Sequence, residues 1–212
     1  HVSSPHAVWN EEEGQLFLYF HGENNTTRYA TSQDGISFAY GGVAVTTAML
    51  VEDFYEASYA RVFRHLHNGG KLRYAMIVMG NHAGTRNLYL ASSPDGREWQ
   101  MRKEPLITPP EGTDQTGPGW LFEHGGRHYV IFFGNQKDSP EYTPHSNLYL
   151  ADVDRELREA KCLGLLMHHT AAGAENCRIN DPCLLLHEGT AYLYVNVGRR
   201  LNQQIGLATA KF

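Results

Sequence analysis

Short runs of alternating apolar and polar residues, broken by turn residues, fill almost the whole chain. Leu16-Phe17-Leu18-Tyr19-Phe20-His21-Gly22, Leu72 to Gly80, His128 to Gly134 and Ala191 to Gly198 are the most apolar of these runs. Each is short enough for a strand and ends in glycine. A run opening near a polar cluster precedes each of them: Ser4 to Trp9, Ser58 to Arg64, Gly119 to Glu123 and Asp181 to Leu186. A run centred on alanine follows each: Arg28 to Ser32, Leu88 to Ser92, Leu148 to Asp152 and Ile205 to Thr209. Turn residues separate the first run from the second: Glu13-Gly14, Asn68-Gly69-Gly70, Gly125-Gly126 and Glu188-Gly189. The strand-ending glycines at 22, 80, 134 and 198 and the alanines at 30, 91, 151 and 208 keep step. Two independent landmarks in register define a repeated three-strand unit.

Ser92-Ser93-Pro94-Asp95-Gly96-Arg97-Glu98-Trp99 and its sister Thr31-Ser32-Gln33-Asp34-Gly35-Ile36-Ser37-Phe38 follow the third run of the first two copies. Asp-Gly after a strand marks a turn, because glycine tolerates positive φ and aspartate bonds the local backbone. The aromatic residue then opens a fourth, outer strand: Ile36 to Val45, Glu98 to Ile107 and Leu157 to Met167. Four-stranded units at this period predict an all-β fold, a β-propeller. It is read as one domain over residues 1–212, with blades at about 1–50, 51–110, 111–170 and 171–212. One helical turn is expected at 154–160. The chain opens on an inner strand and stops at Lys211-Phe212 with no outer strand, so either four blades close without a terminal strand as latch or an N-terminal blade is missing; the second is favoured, and four recognisable blades of an expected five are predicted.

Composition adds little to this and removes much. A chain of 212 residues with 42% hydrophobic positions can bury a core, and 21 glycines and 9 prolines suit a meander of strands. A net charge of −5 excludes a global basic footprint for nucleic acid. No run of eighteen apolar residues predicts a membrane span, and no charged-then-apolar leader is legible at the start; cytoplasmic and secreted locations both stay open. Cys162, Cys177 and Cys183 lack metal spacing and are expected to be buried as small hydrophobes. Asn24-Asn25-Thr26-Thr27 contains overlapping glycosylation sequons and is read as a polar loop.

The blade pattern resembles the five-bladed propeller glycoside hydrolases of the arabinanase, β-xylosidase and invertase types. Asp181-Pro182 at an inner strand and Ser93-Pro94-Asp95-Gly96 with Trp99 at an outer hairpin carry the likeness. His1 to His6, Tyr19-Phe20-His21-Gly22, Thr27 to Ser32, Ala60-Arg61-Val62-Phe63 and Asn180-Asp181-Pro182 place it near a less characterised branch. The resemblance implies a carbohydrate ligand, hydrolysis of glycosidic bonds and no required cofactor. It leaves room for a structural calcium in the channel, which no spacing in the sequence demands. The family's set is an aspartate base, an aspartate that tunes pKa and a glutamate acid. Here the first copy offers Ser4 or His6 where the base would stand. With a blade absent, Glu56 falls in the tuning slot and Asp114 in the acid slot.

Independently of that likeness, the starts of a propeller's inner strands converge. The polar residues at those starts are His1, Ser4 and His6; Glu52, Asp53, Glu56, Ser58 and Arg61; Asp114, Gln115 and Trp120; Glu175, Arg178, Asn180 and Asp181. Glycoside cleavage needs one carboxylic acid and a second carboxylate as base or nucleophile. The candidate catalytic residues are therefore Glu56, Asp114, Glu175 and Asp181, with His6, Arg61, Trp120 and Arg178 as substrate-binding candidates and no metal ligands. Each has a structural alternative. Asp181 would cap a strand, Glu56 would pair with Arg61, and Glu175 would sit in a solvated loop. Asp114 would form a turn, His6 would be a hydrogen-bonded core residue, and Trp120 would pack in the core. His168 and His169 are adjacent and face opposite sides of any strand, so these two alone make no metal site. A non-catalytic propeller that binds carbohydrate or protein is the alternative function. A sialidase-type propeller fits less well: its Asp box separates Asp from Gly, and its arginine triad would have only Arg61 and Arg178 here.

Overall fold

The structure is a computed structural model that describes residues 2–50, 53–139, 144–170, 173 and 176–212. It is an all-β propeller of four blades. Blade 1 is the meander β1 (Ser3–Asn10), β2 (Gln15–His21), β3 (Thr26–Ser32) and β4 (Ala39–Thr46). Blade 2 is β5 (Phe54–His67), β6 (Leu72–His82), β7 (Thr85–Ser93) and the short β8 (Gln100–Met101). Blade 3 has β9 (Thr113–Thr116), β10 (Trp120–His124), β11 (Arg127–Gln136), β12 (Ser146–Val153) and β13 (Ala160–Met167); blade 4 has β14 (Ile179–His187), β15 (Thr190–Val197) and β16 (Gln204–Lys211). Neighbouring strands pair antiparallel throughout.

Contacts group the chain into two units. In the first, His1–Leu106 with Arg155–Arg158, the core joins Phe17, Tyr19, Tyr29, Val62, Tyr74, Met76, Tyr89 and Trp99. The aliphatic centre of β6 is buried from Tyr74 to Asn81, as a strand covered on both faces must be. In the second unit, Ile131, Phe133, Leu148, Ile179, Leu193, Val195 and Val197 form the core.

The Asp-Gly motif does more than turn the chain. Asp95 Oδ1 accepts the Arg97 and Glu98 backbone N–H groups at 2.8 and 3.0 Å, which sets the turn. The turn then docks on blade 1: Tyr19 Oη donates to the Gly96 carbonyl and Asn10 Nδ2 to the Asp95 carbonyl. Arg97 reaches both carboxylate oxygens of Glu13, with its guanidinium over the Phe17 ring. The sister motif keeps the turn, with Asp34 Oδ1 accepting Ile36 and Ser37 N–H groups, and stays exposed.

Several expectations are corrected. The stretch 154–160 is a reverse turn closing β12 onto β13; buried Leu157 has φ 54, which ends any helical path. The outer strand expected over 98–107 shrinks to Gln100–Met101, after which Pro105 interrupts the ladder although Leu106 N–H still reaches the Leu88 carbonyl. A single 3₁₀ turn, Thr47–Met49, was not expected. Cys162 and Cys183 are exposed because β13 and β14 turn those positions outward, and Cys177, ahead of β14, is half-buried.

Candidate functional site

The inner strands share one irregularity. Ser3 pairs with His21 and His6 with Tyr19; Ser58 pairs with Met79 and Arg61 with Ile77; Asn180 pairs with Asn196 and Cys183 with Tyr194. Each inner strand thus carries one extra residue between the same two rungs. The residue that begins each bulge is left-handed: Ser4 at φ 51, Tyr59 at φ 54 and Asp181 at φ 50. Blade 3 meets the same need with a break, where β9 ends at Thr116 opposite Gly134 and β10 resumes at Trp120 opposite Ile131. The chemistry behind this is legible in Ser4-Pro5, Gly117-Pro118 and Asp181-Pro182: proline has no N–H to give a ladder, so the strand yields there. Bulges re-aim side chains, and left-handed non-glycine residues store strain that surrounding structure must hold.

In the first unit the bulge of β5 gathers a polar cluster. Glu56 is buried; its Oε2 accepts Arg86 Nε at 2.9 Å and its Oε1 accepts the Ser58 hydroxyl at 2.9 Å. The ion-pair partner is therefore Arg86 on β7, not Arg61. Asn81 lies between them in the sheet, opposite Glu56 and opposite Arg86, and its buried Oδ1 has no hydrogen-bond partner among the described residues. Tyr59 packs on His21 with ring centroids 4.7 Å apart and planes inclined by 48°, and its backbone N–H donates to His21 Nδ1 at 3.4 Å. Burial lowers the His21 pKa, with Glu56 opposing and Arg61 adding to the shift. His6 Nδ1 accepts the Val62 N–H at 2.9 Å, and burial, then the Arg61 charge, hold its pKa at about 3. His6, His21, Glu56 and Arg61 thus lie within one electrostatic neighbourhood, with His6 neutral at pH 7.

In the second unit the bulge of β14 carries the counterpart. Asp181 Oδ2 accepts Asn196 Nδ2 at 2.8 Å. The Asn180 amide, with its oxygen toward Arg178, accepts from Nη2 at 2.6 Å and donates to the Asn196 carbonyl at 3.2 Å. Arg178, Asn180 and Asp181 are thereby joined to β15. Asp114 is exposed on β9, and Trp120 is half-buried where β10 begins. Glu175, with His1 and Glu52, lies outside the described residues. Among the described residues no group of three or more His, Cys, Asp or Glu side chains is placed to hold a metal ion. No helix among them is long and apolar enough to cross a membrane.

Arg86, His21, Tyr59, Asn81 and Asn196 were missed by sequence reasoning. A signal was present. The aliphatic second strands carry polar residues in their last two positions, His21, Asn81, Asn135 and Asn196, within two residues of the glycine landmarks. A polar residue closing an otherwise apolar strand stands at the same sheet end as the bulge.

No protein-family model and no curated protein matches this sequence. Solved structures do. A thermostable family-43 glycoside hydrolase superposes with a TM-score of 0.79 at 18% identity, over 100% of this chain and 69% of its own. An endo-arabinase from Bacteroides thetaiotaomicron gives 0.75 at 16% identity, over 98% of this chain and 75% of its own. A Bombyx mori GH32 β-fructofuranosidase gives 0.70 at 13% identity, over 99% of this chain and 45% of its own. Along its whole length the chain has the propeller fold found in these glycoside hydrolases.

Proposed function

We propose that this chain is a glycoside hydrolase-like propeller that binds a poly- or oligosaccharide at the bulged ends of its inner strands and hydrolyses glycosidic bonds with carboxylates there. The bulge carries this reading: it sets Asp181 beside the ladder in a left-handed conformation that only its surroundings maintain. Asp181 is the proposed proton-transfer group, with Asp114 and Glu175 as the other catalytic carboxylates. Glu56, already bound to Arg86 and Ser58, is a fixed anion that tunes its neighbours. His6, Arg61, Trp120 and Arg178 are the proposed sugar contacts. Planar arginine forks and aromatic faces suit hydroxyls and sugar rings respectively.

A second reading, a propeller that binds carbohydrate without cleaving it, is favoured by one observation. The inner strand of blade 1, Ser3–Asn10, contains no carboxylate. Turnover of aryl arabinofuranosides, xylosides and fructosides, and of the matching oligosaccharides, separates the two. Hydrolysis that falls by about 10²–10⁴ in Asp181→Asn supports the first reading. Hydrolysis unchanged in that variant removes Asp181 from the mechanism. Saturable oligosaccharide binding with no turnover moves the assignment to the second.

A further inference from the structure

The start of β12 carries a histidine arrangement that the proposed carbohydrate chemistry leaves unused. Asn147, the second residue of β12, is buried. Its Oδ1 accepts two hydrogen bonds from His169, one from the backbone N–H at 3.0 Å and one from ring Nδ1 at 2.8 Å. A backbone N–H only donates, so the side-chain atom it meets is the amide oxygen. An amide oxygen only accepts, so Nδ1 must carry the ring proton. The neutral imidazole has a single ring proton, and Nε2 is left with its lone pair.

A second imidazole stands against it. The rings of His145 and His169 have centroids 4.9 Å apart and planes inclined by 54°. The backbone around His145 is tied on both sides: its carbonyl accepts Gln136 N–H at 2.8 Å, and Ser146 N–H donates to the Cys177 carbonyl at 3.0 Å. The His145 ring itself makes no hydrogen bond with a described residue. Two rings joined through a zinc ion, with Zn–N bonds of about 2.0–2.1 Å, have centroids separated by about 5–6 Å. The observed 4.9 Å stands at the lower edge of that separation.

We propose that His145 and His169 form a binding site for a borderline divalent cation such as Zn²⁺, with water completing the shell. Three features select this chemistry. Imidazole nitrogens suit Zn²⁺, Ni²⁺ and Cu²⁺ rather than Ca²⁺ or Mg²⁺, which take oxygen ligands. Asn147 orients the ligating ring through its other nitrogen, as outer-shell acceptors do in histidine metal sites. The two ligands come from different segments, one before β12 and one after β13, so the ion would clip the two segments together.

Calorimetric titration of chelator-stripped protein with zinc chloride at pH 7.5 tests this. One ion per chain is expected, with affinity at least tenfold weaker in His145→Ala and in His169→Ala, and about 10–100-fold weaker in Asn147→Ala. His145→Ala is the deciding variant, because that ring makes no hydrogen bond with a described residue; circular dichroism checks that the variant is folded. Calcium chloride is expected to give no competing heat. Zinc binding unchanged in His145→Ala, or absent from the parent chain, overturns the assignment. Neither result bears on glycoside turnover, so this inference fails or stands apart from the proposed function.

Discussion

Tyr19 donates its phenolic hydrogen to the Gly96 carbonyl at 2.6 Å, joining residues 77 apart in sequence. Trp99 Nε1 reaches the same oxygen at 3.0 Å, so the carbonyl keeps one donor if the tyrosine is lost. Tyr19→Phe is expected to cost about 1 kcal/mol. Gly96→Ala is expected to cost more, about 1–3 kcal/mol, since φ is +81 and a Cβ would stand 3.0 Å from the Tyr19 hydroxyl. Urea denaturation measures both, and a neutral Gly96→Ala would contradict the docking of this turn on blade 1.

The Glu56–Arg86 pair makes a different test. Only the glutamate end is deeply buried, the arginine side chain being 38% exposed. Removing the cation strands a buried anion beside Ser58. Arg86→Met is expected to lose about 1–3 kcal/mol, discounted from the range for a fully buried pair because solvent reaches Arg86. Adding Glu56→Gln to that variant should restore part of the loss. A double-mutant cycle with no coupling energy would show that the pair contributes nothing.

His6 predicts a pH dependence. Its pKa falls from the ordinary 6.5 to about 3 on folding. The unfolded chain therefore binds the proton first as pH drops. Its contribution to stability is fully present above pH 6.5 and is lost as pH falls toward 3. His6→Gln, which can still accept from the Val62 N–H, is expected to flatten the stability profile over that window. Denaturation midpoints at pH 7.5, 5.5 and 4.5 would read this, and profiles parallel to the parent's would refute it.

Gly117 is predicted to be irreplaceable for a packing reason. A Cβ there would fall 1.8 Å from the Phe133 ring. Gly117→Ala is expected to cost about 3 kcal/mol or more, and Phe133→Leu in the same chain to recover part of it. Thermal unfolding of the single and double variants decides the point, since recovery requires that the ring be the obstacle.

The repeat was readable because its landmarks are chemical. Glycine follows the last residue of β2 and β15 and stands two residues before the end of β6 and β11, Asp-Gly turns the chain, and aliphatic runs such as Met76 to Met79 have only one place to go. Outer strands were read too long where Pro105 follows, since a local pattern does not show which N–H groups find partners. The site was legible only in part. Asp181 and Arg178 could be placed at a strand start from sequence. The pairing of Glu56 with Arg86 could not, because it depends on cross-strand register between β5, β6 and β7. The bulge was encoded in Ser4-Pro5, Gly117-Pro118 and Asp181-Pro182. Tyr59-Ala60 adopts the same geometry with no proline, so no motif announces it.

That bulge bears on how such a scaffold changes over time. A residue outside the ladder is released from the pairing rules that govern its neighbours. Serine, tyrosine and aspartate occupy the three left-handed positions, and glycine the matching place in blade 3. Gly117 is held by the Phe133 ring, but substitution at the other three places changes the side chain carried outside the ladder while the rungs on either side are kept. Drift can therefore erase one chemistry and install another in this fold with little disturbance to the frame that carries it.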